Sequence, residues 1–430
     1  MTTPPATAGP RLGLGLRENA PQFILLVAVN ALVGGMVGQQ QTTLPLLAEQ
    51  VFGLNGYSFV FAYVAVFGIA KAASNYVAGV FSDRYGRKPV LLAGWLFGLP
   101  VPLLIMWAPS WEWIILANLF LGVNQGLAWS TTVTMKIDLV GPRQRGLAMG
   151  LNEAAGYLAV SLTSMAAGWI AAGYGLRPAP FLLGLAYAVI ALVVVALFVR
   201  ETRGFVALET AAPEPSQSRE VDLSNARIFT LVSWRDRALS SASLAGLANN
   251  LNFGLSWGVF PLLFAGAGLG LGQVGLLVAL YPLVWGFGQL ATGWLSDHLG
   301  RKPLVTAGMF LQAAALAVIA ASHAMPGWVA GTMLLGLGSA LVYPALLAVI
   351  GDVAAPQWRG RAVGIYRVWR DLGYTAGALL GGFVADALGL TSAVWAAAGL
   401  SAAVGAVVML RLSETHPEKV AEAPAAVPAG

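Results

Sequence analysis

The sequence predicts an all-α membrane protein, with twelve transmembrane helices in two pseudo-symmetric six-helix bundles. Three observations carry that reading. The 430 residues are 57% hydrophobic and only 10% charged, against about 25% charged in an ordinary soluble domain, and a soluble chain this apolar would aggregate through exposed patches. Apolar runs such as 181–199 approach the roughly 20 residues that cross a bilayer. One charged phrase is also written twice, GVFSDRYGRKP from Gly79 and GWLSDHLGRKP from Gly293, 214 positions apart, which divides the chain into two copies.

The elements follow in order. Residues 1–21 read as a cytoplasmic N-terminal tail with Arg11 and Arg17. The apolar stretch after it runs past Gly34 without a convincing cleavage site, so it is a first span and not a signal peptide. Spans at 22–48, 57–81, 90–108, 112–136, 146–172 and 179–200 make one bundle over 22–203. Residues 204–236 are polar, with Pro213, Pro215 and several serines, and read as a cytoplasmic linker. Spans at 238–264, 272–295, 304–322, 327–350, 361–386 and 391–411 make the second bundle, over 237–412. The Ala/Pro-rich 413–430 reads as a disordered cytoplasmic tail.

Charge tests this topology. All but four of the 24 Lys and Arg lie at span ends or loops that alternation assigns to one side. The exceptions are Lys71, Arg367 and Arg370 inside spans and Arg177 in a loop on the other side. The basic side is cytoplasmic by the positive-inside rule, which puts both termini and the linker inside and the protein in the cytoplasmic membrane. Cysteine is absent and the three histidines are scattered, so neither a disulfide nor a metal site is expected. The run GLGLGQVGLL lacks the Lys-Ser/Thr ending of a nucleotide loop, and no catalytic triad shows. The expectation is a non-enzyme without cofactors, a monomer in the bilayer, with no nucleic-acid partner.

The repeat extends past the opening phrase. At the same offset Asp138 aligns with Asp352, Arg145-Gly146 with Arg359-Gly360, and Gly150 with Gly364. RET at Arg200 is echoed by SET at Ser413, one residue out of step. Two halves in one orientation imply a parallel repeat about an axis normal to the membrane. With these residues the chain resembles the major facilitator superfamily over nearly its whole length. Gly79, Asp83, Arg84, Gly86, Arg87 and Lys88 match that family's signature between spans two and three. Gly293, Asp297, Gly300, Arg301 and Lys302 match its looser second copy, and Asp138 with Arg145 fits its pattern between spans four and five. The resemblance implies secondary transport by alternating access, with span two on eleven and span five on eight. It implies that Asp83 faces the start of span eleven when the cytoplasmic gate is closed. It departs from the family's drug–proton antiporters, because Asn118 stands where they carry an Arg and span five has no proline.

Physically, Gly79 and Gly293 allow close helix approach, a turn at Gly86 shortens the loop, and Arg87 and Lys88 hold it in the cytosol. Charges inside spans cost at least about 2.5–3.5 kcal/mol each, so Lys71, Glu153, Arg367, Arg370 and Asp371 are functional candidates. Lys136 and Asp138, near the end of span four, are discounted as a solvated helix terminus. Polar and aromatic stripes run along six spans: Asn30 and Gln41; Asn118, Gln125 and Trp129; Glu153 and Tyr157; Asn249, Asn250 and Trp257; Tyr281, Trp285 and Gln289; Arg367 to Tyr374. They are expected to line a polar, aromatic-walled cavity, with interhelical hydrogen bonding the alternative for each amide. Helical rise places Lys71 level with Asp371, and an ion pair between the halves is expected there. Arg370 is left without an evident carboxylate. Surplus cation favours an anionic or zwitterionic substrate, and Glu153 is the candidate proton carrier, with a hydrogen bond to Gln289 as its structural alternative. The function expected is proton-coupled efflux of a small organic solute. The alternative is uptake of an organic anion or sugar-like solute, and a non-transporting receptor or scaffold ranks below both.

Overall fold

The glycine closing each charged phrase turns one helix directly into the next. Gly86 and Gly300 hold φ of 99° and 95°, a left-handed region that only glycine adopts cheaply. The corner therefore takes a single residue in each half. The computed structural model describes residues 13–140, 145–205, 223–416 and 419. Among them run twelve long helices and no strand. The first half holds α1 (Ala20–Gln50), α2 (Ala62–Tyr85, after a helical turn Tyr57–Val60), α3 (Arg87–Met106, broken at Leu99), α4 (Trp111–Val140), α5 (Arg145–Tyr174) and α6 (Leu182–Leu197). The second holds α7 (Arg237–Gly266), α8 (Leu271–Leu299), α9 (Arg301–Ala321), α10 (Met325–Val353), α11 (Pro356–Leu388) and α12 (Leu390–Arg411).

Several helices outrun the apolar spans, because helix hydrogen bonding continues into their polar last turns. Within the linker, 223–236 is ordered as a short helix, Asn225–Thr230, and one wide turn, Leu231–Arg235. Ser224 caps the short helix and Asp236 caps α7, its Oδ1 accepting from Leu239 N at 2.8 Å. Such caps satisfy N–H groups that the helix itself leaves free.

Packing repeats with the sequence. In the first half α1 lies on α5 and α2 on α4; in the second α7 lies on α11 and α8 on α10. The halves meet where α5 packs on α8 and α2 on α11, with α1 touching α7. Nine of the described helices are long and apolar enough to cross a membrane by themselves. The three outside that set, α4, α7 and α11, carry much of the interior polar sequence, which neighbouring helices shield from lipid.

The two ends of the molecule differ. At the end away from the linker the halves are sealed. A Cβ on Gly168 of α5 would lie 2.8 Å from Gly275 Cα of α8, and one on Gly382 of α11 would lie 2.7 Å from Ser58 Cα. Asp386 of α11 also accepts from Tyr57 N and Ser58 N, at 2.6 and 3.0 Å, across the same boundary. At the linker end a Cβ on Gly79, Gly150, Gly293 or Gly364 would meet nothing within 4 Å. The close approach expected at Gly79 and Gly293 is therefore absent in this conformation, and these glycines border open clefts.

Candidate functional site

Each charged phrase folds into a clamp. Arg87 opens α3, and its Nη1 lies 2.8 Å from Asp83 Oδ1 while its Nε lies 3.2 Å from Asp138 Oδ2. Thr202 Oγ1 donates to the same Asp138 oxygen at 2.8 Å. Glu201 accepts the backbone N–H groups of Arg87 and Lys88 at 3.0 and 2.9 Å, placing a carboxylate on the positive end of α3. Burial alone would raise the Glu201 carboxyl, but N–H donors from Lys88, Arg87, Arg203 and Thr202 outweigh it and hold the group below its ordinary value. The second half repeats the arrangement. Arg301 pairs with Asp297 at 2.7 Å and Asp352 at 3.1 Å, Glu414 caps α9 through Arg301 N and Lys302 N, and Thr415 reaches Asp352 at 3.3 Å. Glu201, Thr202, Glu414 and Thr415 were not among the expected site residues. Their signal was the out-of-step RET and SET echo, and residues 414–416, read from sequence as tail, serve as this cap.

Two clefts open at the linker end. One, of about 520 Å³, lies between α5, α8 and α10 and is lined by Gly150, Glu153, Gln289, Gly293, Asp297 and Tyr343 among others. The other, of about 710 Å³, lies between α2, α4 and α11, where Asn75, Gly79, Asp83, Thr131, Gly364 and Arg367 contribute. They are copies of each other: Gly150, Glu153, Gln289, Gly293 and Asp297 of the first correspond through the repeat to Gly364, Arg367, Asn75, Gly79 and Asp83 of the second. Their heads differ in sign. Glu153 is 4% exposed; its Oε1 accepts from Trp129 Nε1 at 2.8 Å and Asn152 Nδ2 at 3.2 Å. Its Oε2 is buried with no donor among the described residues. Arg367 Nε is buried with no acceptor among the described residues. Glu153 and Gln289 share the cleft wall without bonding, and the Gln289 amide nitrogen is also unpartnered among the described residues.

Deeper in, the expected Lys71–Asp371 pair is not formed. Asp371 takes its own neighbour: Arg370 Nε and Nη2 donate to Oδ1 at 2.9 and 2.7 Å, and Asn75 donates to Oδ2. Helical rise alone did not fix the pairing: Asn75 meets Asp371, Lys71 lies by Tyr374, and the neighbouring Arg370 folds onto the Asp371 carboxylate. Arg370 thus has a carboxylate, and it also donates to Tyr343 OH. Lys71 has no hydrogen bond or ion pair among the described residues and sits among rings: its Nζ lies 4.9 Å from the centre of Tyr374, 5.3 Å from Trp129 and 5.6 Å from Phe67, a cation–π setting.

A profile of the Major Facilitator Superfamily matches residues 23–250 and again 242–428. The chain belongs to this superfamily. It is 26% identical over 376 residues to a protein described as a probable 4-methylmuconolactone transporter of Cupriavidus pinatubonensis, covering 84% of each chain. It is 24% identical over 371 residues to the multidrug resistance protein MdtG of Salmonella choleraesuis, covering 83% of this chain and 87% of that one. The crystal structure of human MFSD10, an organic anion transporter, superposes with a TM-score of 0.66 at 19% identity, over 93% of this chain and all of that one.

As a member of the Major Facilitator Superfamily the protein is a transporter and not an enzyme. The remaining expected residues sort by neighbour. Asn30 bonds Asn152 O at 2.7 Å and Thr132, Gln41 accepts from Ser164 at 3.2 Å, and Gln125 donates to Val33 O at 2.7 Å. Asn249 accepts from Gln312 at 3.0 Å. These amides join helices within one half and do not line a shared cavity. Asn250 is buried with both amide atoms unpartnered among the described residues.

The aromatic stripes meet at the centre, filling it instead of walling a cavity. Tyr157 stacks on Trp285 at 3.9 Å, Trp285 on Tyr281 at 5.8 Å, and Phe253 touches all three and Tyr374. Phe253 was not singled out, since one Phe in an apolar helix carries no signal. Among the gate residues, Asp83 is 77% exposed and bonds Arg87 across a cleft from the start of α11. Arg84 lies outside the clamp, over the Tyr85 ring. Lys88 Nζ reaches Ala196 O and Arg359 Nε reaches Ala354 O; the Arg145 side chain lies outside the described residues. Lys136 corrects the sequence reading outright: it is 0% exposed, and Nζ donates to Leu26 O at 3.1 Å. Asp138 is buried too. The last turns of α4 are covered by neighbouring helices, which span length cannot reveal.

Proposed function

We propose that this protein is a proton-coupled secondary transporter that moves a small organic solute across the cytoplasmic membrane by alternating access, with its linker end in the cytosol. The basic residues at that end support the orientation. On this reading the conformation is open inward, with both clefts facing the cytosol and the glycine contacts closing the outside. One observation carries the coupling: Glu153, at the head of a cleft between the halves, has a buried oxygen with no donor. A proton binding there displaces no hydrogen bond. Cleft closure alters what surrounds that oxygen, so protonation and conformation are linked.

Efflux, expected from the sequence, finds support in the multidrug relative MdtG. Uptake of an organic anion or sugar-like solute, the alternative, finds support in the muconolactone relative. The test uses proteoliposomes loaded with a pH-sensitive dye and offered 4-methylmuconolactone or ethidium. Wild-type protein is expected to couple addition of one of them to proton movement, and Glu153→Gln to lose that movement while retaining solute exchange. Proton movement at full strength in Glu153→Gln removes the residue from the mechanism.

A further inference from the structure

The twin clefts are made by one duplicated architecture, yet they end on opposite charges. Nothing in the repeat demands either charge, since each position tolerates the other sign in its copy. Building on the proton-coupled reading, we infer that the α2–α4–α11 cleft binds the anionic group of the solute. The substrate is then a small organic carboxylate, and it occupies its cleft at the same time as the proton occupies the other.

Three features carry this. Arg367 offers a buried Nε with no acceptor, and the carboxylate one turn along the helix, Asp371, is already held by Arg370 and Asn75. Thr131 Oγ1 is buried without a partner on the wall of the same cleft. A guanidinium N–H and a hydroxyl lining one cleft are donors that a carboxylate accepts from. The surrounding charge agrees: Lys71 has no carboxylate partner among the described residues, and Asp83 at the mouth is held by Arg87.

The coupling follows from separation. The two clefts share no lining residue, and the contacts from Trp285 through Phe253 to Tyr374 fill the centre between them. Direct competition for one site, the simplest basis for exchange in opposite directions, is not built into separate clefts. Two sites filled together favour travel in the same direction. Protonating Glu153 removes a negative charge from the interface that receives the anion, so each ligand strengthens the other.

The test is binding to purified full-length protein, which needs no gradient. Benzoate, cinnamate and hexanoate are each compared with their amide and amine by thermal shift and titration. At least one acid is expected to raise the melting temperature while its amide and amine do not. Arg367→Gln should weaken that acid about tenfold or more, the loss of a charged hydrogen bond, with Arg367→Lys recovering part. Glu153→Gln, which mimics the protonated carboxyl, should bind the acid at least as tightly as wild type. The proposal is overturned if no acid stabilises the protein, if amides or amines match the acids, if the shift survives Arg367→Gln, or if Glu153→Gln weakens binding. Failure of proton coupling alone leaves this pattern intact and shows only in the proteoliposome assay.

Discussion

The two readings of the central charges make opposite predictions for a double-mutant cycle. Sequence depth pairs Asp371 with Lys71, whereas the structure pairs it with Arg370. The Asp371 side chain is 0% exposed and that of Arg370 6%, so removing either strands the other in low dielectric, typically about 3–5 kcal/mol. Arg370→Met removes both donors from Asp371 Oδ1 and leaves Asn75 alone on Oδ2. Asp371→Asn leaves Arg370 with Tyr343. The double variant strands nothing, so a coupling of about 2–3 kcal/mol is expected, the upper range for residues in contact. Lys71 holds no hydrogen bond or ion pair to Asp371 among the described residues, so the coupling of Lys71→Met to Asp371→Asn should be clearly smaller than that of Arg370→Met. Equilibrium unfolding in mixed micelles, followed by the fluorescence of the 14 tryptophans, measures both cycles. A large Lys71–Asp371 coupling with an additive Arg370–Asp371 cycle would refute the assignment.

Three further outcomes are expected. The Glu201 carboxyl is held low by four N–H donors, so its stabilisation is full above the unfolded value of about 4.3 and is lost as pH falls through the lower folded value; Glu201→Gln should flatten that acid limb of the unfolding profile, and an unchanged limb would exclude the cap. Gly168→Leu should force the α5–α8 contact apart, since even its Cβ would lie 2.8 Å from Gly275 Cα, and spin-label distances at the sealed end should lengthen, measured on a chain that has no native cysteine. Asp386→Ala removes an exposed cap between the halves, worth about 1 kcal/mol, and should raise the population open at that end about fivefold, with unchanged thiol labelling there counting against the latch.

Sequence alone determined what depends on one-dimensional pattern. Apolar runs of bilayer length set the number and order of helices. The 214-residue repeat set the two bundles, and glycine at 86 and 300 set the corners, because a positive φ admits little else. Charged residues at bilayer depth marked Glu153, Arg367, Arg370 and Asp371, since burial without purpose is costly. Tertiary structure decided which partner each side chain chose. Helical rise orders residues by depth but not by the direction in which a flexible side chain turns, so Asp371 took Arg370 and left Lys71 to the rings. Exposure at helix ends depends on neighbours remote in sequence, so Lys136 and Asp138 are buried where span length suggested solvent. The polar stripes did not merge into one cavity, because large rings from both halves fill the centre and divide the open end into two clefts. That the copies end on Glu153 and Arg367 was legible in the alignment of the halves. That Glu153 Oε2 and Arg367 Nε each lack a partner among the described residues followed only from the packing around them.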